Sequence, residues 1–534
     1  MNAIRLTDPI RGSSEPDRFW TLTNVGEATP DVLSPLCWSV WGDGVEFGGR
    51  ASLCDLGALP KSAVRRSENP NELLTACFYG RQAMNIDLTR DVMATVPGSN
   101  ADDFEADICG SVRPDAKPVP NSNRRLPVVA VKAPATFLRH GRQVRRLHDD
   151  QLNWWQREIL GGSTDDPLAL FNESADRFRI AMRVHVRARM IVQALRSQVL
   201  AALEDGVKES VGALLSGHGN VLETAMADDL WLLGREELSL DTFLSRHGFH
   251  GPNEGNLIGH SWRENPATVL NFAKATAERA ETDRPCEREG RAVAAHQRAL
   301  AELPGGPSRL LRILLKAAGT HTRYMELTKS SYLTAIDGCR RGARELGAAL
   351  VAKGVLEEAD DVFYFDREEL NVGLGAEAAE QVKFRKARRE EYRALELPSF
   401  FTGMPEPIAA QQAEDTGREV IHGTPGGPGR VEGKVRVVVD PDVAEPLDDG
   451  EILVCRFTDP GWTPLFSLAS GVVIDIGSAA SHGAIVAREL ALPCVIGTGD
   501  GSRHLHNGDL VRVDGDAGVV TVLRRAQSVD QVGD

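Results

Sequence analysis

One stretch of the chain brings a histidine together with surroundings suited to carrying an anion. It reads DIGSAASHGAIVARELALPCVIG over residues 475 to 497. An apolar run, Val472 to Ile476, has the composition of a buried strand and leads into a turn of small residues. A helix is expected to open at Ser481-His482, with Ser481 as the N-cap. His482 then stands at a helix N-terminus, where unsatisfied backbone N–H groups and the helix dipole favour negative charge. The same partial charges disfavour imidazolium and keep the ring neutral and nucleophilic. A phosphoryl group on that ring would be cradled by the N–H groups of the turn. The small residues Gly477, Ser478, Ala479, Ala480 and Gly483 let the backbone approach it closely. The bland alternative is a capped, half-exposed surface histidine.

The elements that must hold this segment are visible as a change of pattern along the chain. Residues 1–125 mix short apolar runs with Gly, Pro, Asp and Asn and read as irregular, with short strands and helices. From there to residue 397 the pattern is helical, with apolar residues at three- and four-residue spacing, as in Ile180, Val184, Ala188, Ile191, Leu195 and Val199. A glycine-rich stretch, His247 to His260, interrupts it. Residues 398–420 are polar and Pro-bearing and read as a linker. Beyond it, short β-branched runs punctuated by Gly and Asp alternate with two short helical segments, Pro464 to Ala469 and His482 to Leu490, which describes a compact α/β unit over 421–527.

Composition narrows the function classes. The 534 residues carry 61 Lys+Arg against 76 Asp+Glu, a formal net charge of −15, with 26% charged and 42% hydrophobic residues. This acidic balance excludes nucleic acid as the main partner, because phosphate-backbone binding needs a basic footprint. No apolar run reaches the roughly 18 to 20 residues that span a bilayer, and residues 1 to 20 lack a secretory h-region. No membrane association and a cytoplasmic location are therefore expected. The eight cysteines are scattered without a CxxC pair, as for reduced thiols. His247, His250 and His260 lack an acidic or cysteine partner at metal spacing, so no metal site is assigned. His250 and Glu254 instead become candidate polar contacts in a substrate pocket wall.

The 475–497 segment resembles the phosphohistidine swivelling domain of PEP-utilizing enzymes: phosphoenolpyruvate synthase, pyruvate phosphate dikinase and rifampin phosphotransferase. Gly477, Ser481-His482, Ala484, Ala487-Arg488-Glu489 and Pro493 to Gly497 match the family pattern, while Ser478 replaces its second glycine. The glycine-rich stretch Gly423 to Val435 and the Thr458-Asp459-Pro460 turn extend the resemblance over about 421 to 525. Upstream, FWTLTNVGEATPDVLSPLCW (19 to 38), FYGRQAMNID (78 to 87), GFHGPNEGNLIGHSWRENP (248 to 266) and DDVFYFDREEL (360 to 370) resemble the substrate-binding domain of rifampin phosphotransferases.

The resemblance implies a multidomain protein. A mainly α-helical substrate-binding domain, with an irregular α/β part at 1–125 and a helical part at 126–397, is followed by a C-terminal α/β (β/β/α) swivelling domain. It implies that His482 is the phosphorylated residue, with Gly477, Ser478, Ser481 and Gly483 around the phosphate. Arg323 matches the arginine of the family's Arg-Glu-x-x-Lys segment. Tyr324 and Leu327 replace its Glu and Lys, and Lys329 lies two positions late, on another face. Neither a G-x-x-x-x-G-K-[ST] loop nor another Mg-ATP set is found, and an ATP-grasp domain is expected to be missing. The chain itself is then expected to bind no cofactor. A separate ATP-grasp protein, holding ATP and Mg²⁺, would charge His482, and the phosphoryl group would pass to the hydroxyl of a small-molecule alcohol. Two other readings stay open: phosphorylation that activates an alcohol for dehydration, and a non-catalytic binding or regulatory homologue.

Overall fold

The computed structural model describes residues 6–526 except 24, 30, 97–98, 163, 204–213, 215–218, 220–221, 304–305, 409–417, 442–443 and 478–480, and except the side chains of 27, 107 and 460. The chain forms two compact units, each assembled from separate stretches. The first comprises residues 1–191, 253–260 and 324–410, and the second 192–252, 261–323 and 411–534. The architecture is largely helical before the C-terminal α/β sheet.

In the first unit, β1 (Phe19–Thr21) is followed by a 22-residue helix, α1 (Pro35–Leu56). Pro35 is suited to the first helical position, and the Ser34 side chain accepts a bond from the Cys37 N–H at 3.3 Å. Gly57, at φ +90°, ends the helix in the left-handed conformation. The sequence reading of this region as irregular misses α1. The helix is buried on nearly every side, so no polar face marks its period. The strands β2 (Thr75–Phe78) and β3 (Arg81–Asn85) follow, then the long helices α2 (Leu126–Trp154) and α3 (Pro167–Ala201). Ile180 is 55% exposed, whereas Phe171, Phe178, Ala181, Val184, Ala188 and Ile191 form the buried stripe of α3.

The helices α4 (Leu222–Gly234), α5 (Leu240–His247), α6 (Ala267–Ala277) and α7 (Pro285–Ala301) lie in the second unit. The 44-residue helix α8 (Arg309–Ala352) contains the division between the units, and α9 (Ala378–Arg393) returns the chain to the first. The segment read as a linker begins as a strand, β4 (Phe400–Thr402). It pairs antiparallel with β1 through Trp20 and Phe401, and the described four-stranded sheet runs β2-β3-β1-β4. The apolar pair Phe400-Phe401 is what makes this stretch part of a sheet rather than a free connection. Residues 409–417 lie outside the described part.

The remaining elements form the C-terminal sheet of the second unit. They are β5 (Val420–His422), β6 (Thr424–Gly427), β7 (Arg430–Val438), β8 (Glu451–Cys455), α10 (Thr463–Leu468), β9 (Gly471–Ile474), α11 (His482–Glu489), β10 (Cys494–Ile496), β11 (Leu510–Asp514) and β12 (Val519–Arg524). The described eight-stranded sheet has the order β5-β12-β11-β7-β8-β9-β10-β6, with β7, β8, β9 and β10 parallel. Parallel strands are normally covered on both faces, and successive side chains alternate between them. Ile452, Val454, Val473 and Val495 enter one core with Val511, Val513 and Val520. Leu453, Cys455, Val472, Ile474, Cys494 and Ile496 enter the other.

That second core is completed by residues far upstream. Met226 and Leu230 of α4, Phe243 of α5, Trp262, and Val269 and Phe272 of α6 pack with Leu465 and Phe466 of α10 and with Ala484 and Val486 of α11. The helical segment 222–273 therefore shares its core with the sheet that sequence reading draws alone at 421–527. No described helix is long and apolar enough to cross a membrane. Because the core is shared, Phe272→Ala should cost about 3–5 kcal/mol in the unfolding of the sheet, as Phe466→Ala does. Denaturant titration of both variants, followed by hydrogen exchange in β8 and β9, checks this. An unchanged sheet in Phe272→Ala would make 421–527 self-standing.

Candidate functional site

The sheet and α11 place His482. Strand β9 ends at Ile474, the chain turns, and α11 begins at His482 with Ser481 in extended conformation (φ −73°, ψ 163°) as its N-cap. The expected side-chain cap is not made. Ser481 is 6% exposed, and its hydroxyl has no hydrogen-bond partner among the described residues. That hydroxyl lies beside Gly477, where an added Cβ would come within 3.0 Å of it. Ser478 lies outside the described residues.

Two glycines fix how closely the turn is packed. Gly477 has φ +152°, and a Cβ there would meet Ile496 Cδ1 at 2.4 Å. A Cβ on Gly483, the second residue of α11, would lie 2.6 Å from both Thr458 Oγ1 and Ile474 Cδ1. The start of α11 is thus pressed against the Thr458-Asp459 turn, itself buried and held by the Gly461 N–H donating to Asp459 Oδ1 at 2.9 Å. At the end of β9, Asp475 accepts from the Thr498 hydroxyl at 2.7 Å and from the Ser502 N–H at 3.0 Å, tying the turn to the following loop. Toward the other end of α11, Arg488 donates to the Gly426 carbonyl at 3.0 Å. Burial, with the positive charge of Arg196 nearby, pushes its guanidinium down to about 10. Burial pushes the Cys494 thiol up to about 12, which leaves it a poor nucleophile.

His482 is mostly covered, its side chain 13% exposed, and Nε2 has no solvent-exposed surface. Its Nδ1 lies 3.9 Å from Glu223 Oε1 at the start of α4. The carboxylate makes the surroundings of the ring partly polar, and Nε2 is closed off from solvent.

The other sequence candidates fall in different places. Arg323 is half-buried on α8, at the last residue of that stretch of the second unit, while Lys329 belongs to the first. Tyr324, standing where the family has glutamate, accepts a hydrogen bond from Arg145 Nη1 at 2.7 Å. Beyond it, His185 Nδ1 is 3.0 Å from Thr328 Oγ1. Burial and the charges of Arg189 and Lys329 push that imidazole down to about 3, so it stays neutral. His250, in the second unit, lies against Phe249 and Trp262, with ring centroids 4.3 and 5.8 Å away. Its neighbour His247 contacts Asp229 Oδ2 at 2.8 Å, and burial pushes that imidazole down against the carboxylate's pull. Glu254, in the first unit, is 2% exposed. One unit therefore does not contain both His250 and Glu254. Among the described residues no group of three or more His, Cys, Asp or Glu side chains is placed to hold a metal ion.

Sequence reasoning missed what holds the glycine-rich stretch. Arg340 Nη2 donates to the carbonyls of Glu254 and Asn256 at 2.8 and 3.0 Å, and Arg344 Nη2 to that of Ile258 at 2.7 Å. Trp41 Nε1 donates to the Gly255 carbonyl at 2.7 Å. These partners lie far away in sequence, and a guanidinium on a helix carries no sign of which carbonyls it will find. Glu223 was missed for the same reason.

Comparison with known proteins agrees with the resemblance read from the sequence. Residues 447–518 match the mobile domain of PEP-utilising enzymes. Residues 235–326 match the rifampicin phosphotransferase fourth domain. Among similar proteins, an uncharacterized protein of Mycobacterium tuberculosis is 33% identical over 279 residues, covering 52% of this chain and 30% of that protein. The rifampicin phosphotransferase of Streptomyces sviceus is 29% identical over 300 residues, covering 53% and 34%. The prodigiosin synthesizing transferase PigC of Serratia marcescens is 30% identical over 305 residues, covering 54% and 33%. The chain thus spans 30 to 34% of the length of these relatives.

The packing at Gly483 predicts opposite effects for two glycine substitutions. Gly483→Ala should destabilise by about 1–3 kcal/mol through overpacking against Thr458 and Ile474. Gly290→Ala, exposed inside α7 with nothing near its Cβ, should stabilise by about 0.5–1 kcal/mol. Thermal unfolding of both variants checks the signs.

Proposed function

We propose that the chain is a phosphohistidine-dependent phosphotransferase component. In this reading His482 carries a phosphoryl group from ATP to a hydroxyl of an organic small molecule in the cytoplasm. A separate ATP-grasp protein holds ATP and Mg²⁺ and charges the histidine, converting ATP and one water to AMP and phosphate as the β-phosphoryl group moves. The observation that carries the reading is His482 at the first residue of α11, between Gly477, which packs on Ile496, and Gly483, which packs on Thr458 and Ile474. The matches over 235–326 and 447–518 support it.

Each group then has a stated task. The N-terminal amides of α11 stabilise the anion carried on His482. Gly477, Ser478, Ser481 and Gly483 form the surroundings of that phosphate, and the Ser481 hydroxyl, without a hydrogen-bond partner among the described residues, is available to donate to it. Arg323 offsets charge that develops during transfer. Glu254 and Lys329, both in the first unit, are assigned to binding the acceptor. Because Nε2 is covered, charging and delivery both require the face over the ring to open.

A second reading, in which phosphate activates an alcohol and then leaves with net dehydration, is kept for one reason. Tyr324, engaged by Arg145, stands where the family's glutamate would be, and Leu327 stands where its lysine would be, so the chemistry after charging need not be ordinary transfer.

The test supplies the full chain with an ATP-grasp protein, Mg-ATP and a panel of hydroxyl compounds. The reading predicts an acceptor heavier by one phosphoryl group, AMP as co-product, and loss of turnover by more than about 10³-fold in His482→Ala. A product lighter by one water would select the dehydration reading. Full turnover in His482→Ala would reject both.

A further inference from the structure

The Glu223 carboxylate is brought to His482 by packing. Glu223 lies in the first turn of α4, whose Met226, Ala227 and Leu230 are buried, Met226 and Leu230 in the core that also takes Ala484 and Val486 of α11. Both helices belong to the second unit, so the pair is held by one hydrophobic core. At 3.9 Å from His482 Nδ1, a side-chain shift of about 1 Å makes a charge-assisted hydrogen bond. Standing at a helix N-terminus, the carboxylate is also favoured by the dipole of α4.

A partner on one ring nitrogen decides what the other can do. We propose that Glu223 is a positioning residue for His482, holding the proton on Nδ1 and leaving the lone pair on Nε2, across the ring, as the nucleophile. This rests on the reading of His482 as a phosphoryl carrier. In the charging step the Nε2 lone pair attacks phosphorus of a phosphoric-anhydride donor. The N–P bond forms as the P–O bond from the β-phosphorus to AMP breaks, the AMP oxygen keeping the bonding pair, and water then cleaves the remaining anhydride to release the terminal phosphate. The proton stays on Nδ1, the ring becomes an imidazolium, and the Glu223 carboxylate offsets its charge. In the delivery step the acceptor oxygen attacks phosphorus, the N–P pair returns to Nε2, and the hydroxyl proton passes to water.

The experiment uses the full chain labelled with ¹⁵N-histidine and phosphoramidate as the probe donor. Nitrogen NMR of wild type should show Nδ1 protonated, and the phosphate should appear on Nε2. Glu223→Gln should lower the charging rate about 10- to 100-fold, the range seen when an orienting partner is removed from a metal-binding imidazole, with half-saturating phosphoramidate unchanged. Glu223→Asp should recover part of the rate. An unchanged or faster rate in a folded Glu223→Gln, with wild type charged on His482, overturns the Glu223 assignment alone. If Glu223→Gln does not fold, the wild-type spectrum decides, and a proton on Nε2 overturns the assignment. No phosphate on wild-type His482, from phosphoramidate or from Mg-ATP with an ATP-grasp protein, overturns the carrier reading and this proposal with it.

Discussion

Parallel strands buried on both faces must be roofed on both, and that requirement decides which residues pack with the helix that begins at His482. Strands β8, β9 and β10 send Leu453, Val472 and Ile496 into a core that the C-terminal residues do not fill by themselves. Met226, Phe243 and Phe272 help to fill it. The same core holds Ala484 and Val486, and so fixes the helix that begins with the histidine. The placement of one imidazole thus depends on dispersion and hydrophobic contacts among residues from the middle and the end of the chain.

From that constraint follows the character of the site. The seat of Gly483 on Thr458 and Ile474 leaves no volume for a side chain, so the first turn of α11 is held closely against both. The core that seats α11 also carries α4, and with it Glu223, to the ring. The ring nitrogen that faces a carboxylate is the one on which a proton is favoured. Nε2 itself is covered.

How much of this was legible in the sequence depends on the range of each interaction. Strand β9, the turn and helix α11 are local, and their small residues, cap position and β-branched run indicate them within some twenty residues. The boundary of the α/β body was not legible, because hydrophobic residues of 222–273 look like those of any amphipathic helix. Helix α1 was hidden because burial on all sides leaves no period to read. Ile180 misled for the converse reason: it fits the helical spacing but faces solvent. The Ser481 cap was half legible, since its backbone conformation follows from position, while its hydroxyl depends on neighbours in space.

The most direct measurement follows the phosphorus itself. Full chain, an ATP-grasp protein and Mg-ATP labelled at the β-phosphate are mixed without acceptor, quenched in base, digested and mapped by mass spectrometry. The account predicts an acid-labile, base-stable phosphate on the peptide that contains His482. A label that survives acid on Ser481, or none anywhere while the partner consumes ATP, would contradict it.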